Sequence, residues 1–122
     1  MHATFVELPT FEKYRADYLS DDDYRSLQEQ MLRKPDAGDV IKGTGGLRKL
    51  RFGDKRRSKG KRGGLRIIYY YWIEGTQFWM FSVYDKDEMA DLSSDERKAF
   101  AGLLAAEIRI RSTHEKESIR GA

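Results

Sequence analysis

Between Lys42 and Tyr71 the chain reads KGTGGLRKLRFGDKRRSKGKRGGLRIIYYY, which holds eleven Lys and Arg residues and one acid, Asp54, for a net charge of +10. The rest of the chain carries twelve basic and nineteen acidic residues, a net of −7, so the +3 of the whole conceals a strong segregation of charge. The stretch runs into LRIIYYYWI (65–73), β-branched and aromatic, which fits a pleated and half-buried strand. A concentrated positive field mounted on a sheet is the electrostatic footprint of a polyanion binder.

At 122 residues the chain is expected to form one domain with a modest core. Its 39% apolar and 35% charged residues suit a thin core under a large wet surface. The absence of cysteine excludes disulfides and thiolate metal sites. The opening MHATFVELPTF lacks a basic segment followed by a long apolar one, and the longest apolar run, Ile67 to Ile73, is too short to span a bilayer. The expectation is a cytoplasmic protein with no membrane partner.

Thr4 to Leu8 reads as a first strand, stopped by Pro9. Thr10 is placed to cap a helix whose face carries Phe11, Tyr14 and Tyr18. Ser20 restarts the pattern, with Asp21, Asp22 and Asp23 in a first turn where the macrodipole favours acids, and with Tyr24, Leu27 and Met31 on one face. The pair is either an αα-hairpin or one kinked helix. Residues 36–46 form a turn-rich connector; its glycines match no phosphate-loop pattern and read as a backbone turn. LRKLRF (47–52) alternates as a strand, with Lys49 and Arg51 on one face and Leu50 and Phe52 on the other. Residues 53–64 are a Gly-rich basic loop, expected to be mobile. In the strand after it, Leu65, Ile67, Tyr69 and Tyr71 share one face and Arg66, Ile68, Tyr70 and Trp72 the other. Glu74-Gly75-Thr76 turns the chain into a returning strand, QFWMFSVY (77–84). Ser93 and Glu96 form a capping box for a last helix with Phe100, Leu103, Leu104 and Ile108 as its core stripe. The fold class predicted is α+β: a small twisted antiparallel sheet in the order β-α-α-β-β-β-α, with helices packed on it. Residues 1–112 make the domain and 113–122 a charged flexible tail.

The blocks GDVIKGTGGLRKLRF (38–52), GKRGGLRIIYYY (60–71) and VYDKDEMADLSSDERK (83–98), with the opening FVELPTFEKYRADYLSDDDYRSLQ (5–28), resemble the RelE/HigB toxins of bacterial type II toxin–antitoxin systems, and within them the HigB2-like branch. The resemblance covers roughly residues 3–108. It implies a microbial-RNase type of fold and a ribosome-dependent endonuclease that cuts mRNA in the A site of the 70S ribosome, inhibiting translation without metal or other cofactor. It also implies a cognate antitoxin of the HigA-like, helix-turn-helix type, and contact with operator DNA through that antitoxin.

Cleaving RNA requires help in deprotonating the 2′-OH, cations for the charge developing at phosphorus, and a proton for the 5′-oxygen. The two histidines, His2 and His114, sit near the chain ends, so the inventory leaves Lys, Arg and Tyr. Arg66 matches the strand arginine that RelE-like toxins place on the scissile phosphate, and a guanidinium fork suits a phosphorane. Lys49 and Arg51 align with the family's pair of basic strand residues; crowding by other cations would let Lys49 exchange a proton. Lys86 follows the last strand and can bind phosphate or protonate the leaving group, and Tyr84, of the same parity, can stack on a base or orient the nucleophile. Some relatives carry Tyr where this chain has Leu92. Arg48, Lys55, Arg56, Arg57, Lys59, Lys61 and Arg62 are the expected binders of RNA and ribosome backbone. Two other readings stay open: a gyrase-directed toxin of the ParE type, and a non-catalytic RNA-binding or corepressor module.

Overall fold

A computed structural model describes residues 2–53, 64–88 and 91–121, with side chains as far as residue 113. The elements are β1 (Thr4–Glu7), α1 (Pro9–Tyr18), α2 (Asp21–Arg33), β2 (Asp39–Val40), β3 (Arg48–Phe52), β4 (Leu65–Trp72), β5 (Gln77–Asp85) and α3 (Ser94–Gly121). The strands form one five-stranded sheet in the order β1-β5-β4-β3-β2, an α+β architecture. β2 to β5 pair antiparallel, and β1 joins the edge of β5 in parallel. The added element is β2, where only a connector was expected: Asp39 pairs with Lys49 and Val40 with Arg48. The chain divides into two compact units, Met1–Val40 with Arg48–Asp91, and Ile41–Leu47 with Leu92–Ala122.

In the first unit local chemistry sets the helix ends. Pro9 is the first residue of α1, where its missing N–H would have had no partner anyway, so the cap falls on Leu8 rather than on Thr10. Leu19 and Ser20 are both extended and separate α1 from α2. The Ser20 hydroxyl then accepts from the Asp23 amide at 3.1 Å, as the sequence indicates. Phe11, Leu19, Tyr24, Leu27 and Met31 from this helical segment pack with Leu50 and Phe52 of β3, Leu65, Ile67 and Tyr69 of β4, and Phe78, Met80 and Val83 of β5.

Strict alternation would place Tyr84 on the same face as Phe78 and Met80. The ladder prevents this. Ile68 pairs with Ser82 while the next residue, Tyr69, pairs with Met80, so Phe81 is an extra residue opposite the Ile68/Tyr69 step. Such a bulge reverses the parity of everything beyond it. Val83 therefore falls opposite Ile67 on the apolar face, and Ser82 and Tyr84 fall opposite Ile68 and Arg66 on the other. Toward the far end of that second face, Trp79 lies 5.2 Å from the Tyr70 ring and 5.3 Å from Trp72.

In the second unit the GTGG turn closes on itself. Ile41 N–H donates to Leu47 at 2.8 Å, and the buried Thr44 hydroxyl donates to Ile41 and accepts from the Leu47 amide. Gly43 and Gly45 both sit at φ +83, which an L side chain rarely adopts, so their role is conformational. The capping box of α3 is present in both directions: Ser93 N–H to Glu96 at 2.9 Å and Glu96 N–H to the Ser93 hydroxyl at 3.1 Å. Leu104 is buried, but Leu103, one position off the stripe, is 54% exposed and not a core residue. The helix also runs to Gly121, through the segment expected as an irregular tail. Extending a formed helix costs far less than starting one, and no proline or glycine interrupts residues 103–120.

The connector before β3 is pinned to the sheet by one phenol. The buried Tyr69 hydroxyl donates to the Pro35 carbonyl at 2.7 Å and accepts from the Gly38 amide at 3.1 Å. Replacing Tyr69 by Phe leaves a buried donor and acceptor unmatched. It is expected to cost about 1–3 kcal/mol in denaturant unfolding, whereas an unchanged midpoint would show that the phenol is not what holds the connector.

Candidate nucleic-acid interface

The face of the sheet turned away from the apolar core collects the charged residues. Across the ladder Arg51 of β3 pairs with Arg66 of β4, which pairs with Tyr84 of β5. The next row is Lys49, Ile68 and Ser82. Directly opposite residues share a face at roughly 4.5–5.5 Å between Cα atoms. Four residues singled out in the sequence, Lys49, Arg51, Arg66 and Tyr84, thus stand in two adjacent rows. Lys86 follows one residue past β5, where its amide donates to Gly64 at 3.4 Å and its side chain is exposed.

Access differs among them. Arg51 and Lys86 are exposed, Lys49 is partly so, while Arg66 is 1% and Tyr84 3% exposed. Arg66 is therefore no surface arginine. Its guanidinium donates to its neighbour Leu65 at a long 3.4 Å. Its charge is nonetheless felt at Asp91, so it belongs to the cationic group.

Asp91 is the residue that the sequence did not disclose. Its carboxylate meets the Lys49 ammonium at 3.1 Å. That hydrogen bond, followed by the charges of Lys49, Lys86 and Arg66, holds its pKa below the ordinary value against a mild opposing effect of burial. Lys49 of β3 thus pairs directly with this acid, and the charges of Lys86 and Arg66 act on it without a direct contact. Beside the crowding by cations expected around Lys49 there is a carboxylate, its ion-pair partner among the described residues. Lys49 and Asp91 are 42 positions apart, and no local pattern links them.

Arg48 has a structural role in addition to the one expected of it. It lies on the side of β3 that carries Leu50 and Phe52, and its guanidinium donates to the carbonyls of Gly38 at 2.8 Å and Asp36 at 3.3 Å. It braces the connector into β2. The other expected backbone binders, Lys55, Arg56, Arg57, Lys59, Lys61 and Arg62, and the expected mobility of their loop, lie outside the described residues. Tyr70 and Trp72 pack against Trp79 rather than forming an open stacking platform. Among the described residues no three His, Cys, Asp or Glu side chains gather at metal-binding spacing, and no helix is long and apolar enough to cross a membrane.

No family model matches the chain. Among solved structures it is similar to a mutant of the E. coli toxin RelE in the free state, with 17% identity and a TM-score of 0.47 over 72% of this chain and 87% of that one.

The acid in the cationic group supplies a direct electrostatic check. Because the folded-state pKa of Asp91 is depressed, its contribution to stability is complete above the unfolded value and is lost as pH falls through the folded one, below 3.8. The pair is well exposed, so that contribution is at most about 1 kcal/mol. Lys49→Ala is expected to return the Asp91 titration, followed by carboxyl NMR, toward 3.8. An unmoved titration would mean that Lys49 is not its principal partner.

Proposed function

We propose that this protein is a toxin of the RelE/HigB type that cuts mRNA on the ribosome. The observation that carries the reading is the cross-strand row Arg51–Arg66–Tyr84 beside Lys49, with Lys86 at the strand end. It joins the sequence blocks that resemble those toxins. A phosphodiester laid on this face meets exposed Arg51 and Lys86 first. Arg66, beneath them and shielded from water, acts as a fixed charge whose field is stronger for its burial. Attack of the 2′-oxygen on phosphorus breaks the bond to the 5′-oxygen, giving a 2′,3′-cyclic phosphate and a 5′-hydroxyl. The 2′-OH gives its proton to Lys49 in its neutral amine form, with Tyr84 orienting the attacking oxygen, and Lys86 supplies a proton to the leaving oxygen. All of this is done by groups of the chain itself, and the basic segment 55–62 adds affinity for RNA backbone.

The reading carries partners with it. Ribosomes place the protein in the cytoplasm. A HigA-like antitoxin with a helix-turn-helix domain would silence it by laying an acidic segment on the cationic face, and would bring the pair to operator DNA. One observation favours a second reading, an RNA-docking module without cleavage: Arg66 is only 1% exposed.

Mapping RNA 5′ ends after induction separates the two. The wild-type protein is expected to produce new ends within translated message and to arrest growth. Arg66→Ala should reduce cutting by about 10²–10³-fold, as removal of one charge-stabilising donor does, with the protein still folded. Cuts persisting in the Arg66 variant would remove the assigned chemistry, and RNA retained by wild type without cuts would establish the docking module.

A further inference from the structure

The proposed chemistry leaves Asp91 without a task, although its carboxylate meets the Lys49 ammonium at 3.1 Å. Lys86 and Arg66 act on the same carboxylate through their charges. All three cations belong to the set that the cleavage reading places around the RNA phosphate. A carboxylate thus already stands in the field that the phosphate is to enter.

The two anions are chemically alike. A carboxylate spreads one negative charge over two oxygens that only accept hydrogen bonds. A phosphodiester does the same with its two non-bridging oxygens, and both draw charge-assisted bonds from an ammonium. Lys49 could serve both at once only by holding two negative groups side by side, and their repulsion drives one away. The ion pair is built to part. The Lys49 and Asp91 side chains are 28% and 58% exposed, so separating them returns both to water and strands no buried charge. Asp39 offers an internal comparison. It lies directly opposite Lys49 in the β2–β3 ladder and carries the same charge, yet the ion pair of Lys49 among the described residues is with Asp91.

We propose that Asp91 is an internal stand-in for the substrate phosphate: it occupies the Lys49 ammonium in the free protein and is displaced when a phosphate binds. The inference rests on the cationic face being the phosphate site. It makes Asp91 a positioning residue, which acts through Lys49 and not on RNA. While the ion pair lasts, Lys49 keeps its proton and cannot take one from a 2′-OH. Displacement of the carboxylate therefore has to precede the proton transfer, and the free protein is held in check until a phosphate arrives.

The test is an NMR titration of the full chain with inorganic phosphate at constant ionic strength, following the Asp91 carboxyl and the side chains of Arg51 and Lys86. In the wild type, phosphate is expected to shift both cations. It should also bring the Asp91 carboxyl resonance to the position it has in Lys49→Ala without phosphate. Asp91→Asn should bind phosphate about three- to fivefold more tightly, the scale of one exposed ion pair. Asp39→Asn, which removes an equal charge beside Lys49, should bind it as the wild type does. In the Lys49→Ala background, Asp91→Asn should bring no gain, since the contact it breaks is already absent. An Asp91 carboxyl unmoved at saturating phosphate, equal gains from the two Asn variants, or a gain that survives Lys49→Ala would each overturn the stand-in and leave the phosphate site in place. If phosphate shifts neither Arg51 nor Lys86 in any of these proteins, the face is no phosphate site and both readings fall.

Discussion

The pairing of β4 with its two neighbours is the constraint on which the rest depends. Leu65, Ile67 and Tyr69 are committed to one side because the core there is built from them together with Leu50, Phe52, Phe78, Met80 and Val83. A slip of one residue would bury Arg66 in that core and turn isoleucine outward, a cost no surface contact offsets. The same choice that satisfies the apolar side lines up Arg51 and Arg66 on the other. Folding energy is thus spent on packing, and the alignment of charge follows from it without any attraction between the cations themselves.

Like charges held that closely repel, and the structure shows how this is managed. Asp91 accepts from Lys49 and sits in the fields of Lys86 and Arg66. Arg66 is taken out of water, where its field is stronger but its solvation is lost, so its neighbours must satisfy it. Arg51 and Lys86 remain at the surface. The arrangement is graded: two reachable cations, one half-neutralised, and one fixed charge behind them. It would present an approaching phosphate with a site already organised.

How much of this could be read from the sequence depends on the range of the physics involved. The caps at Ser20 and at Ser93 with Glu96 act over three residues and were legible. The two faces of β3 and β4 were legible because alternation holds without interruption from Arg48 to Phe52 and from Leu65 to Trp72. The bulge at Phe81 was not, since nothing in QFWMFSVY marks which residue the ladder will skip, and it is the bulge that brings Tyr84 beside Arg66. Asp91 was invisible because its partner is remote in sequence. The bracing of Gly38 and Asp36 by Arg48 was not legible either, because it depends on how the connector folds back over β3.

The central claim is that Arg51 and Arg66 act as a unit on one phosphate because the ladder sets them opposite each other. Single-turnover cleavage of ribosome-bound message by Arg51→Ala, Arg66→Ala and the double variant measures this most directly. Groups that share one transition state are non-additive. The double variant is therefore expected to lose little more than the more damaging single change. Losses that multiply, as for independent sites, or a double variant that cleaves at the wild-type rate, would contradict it.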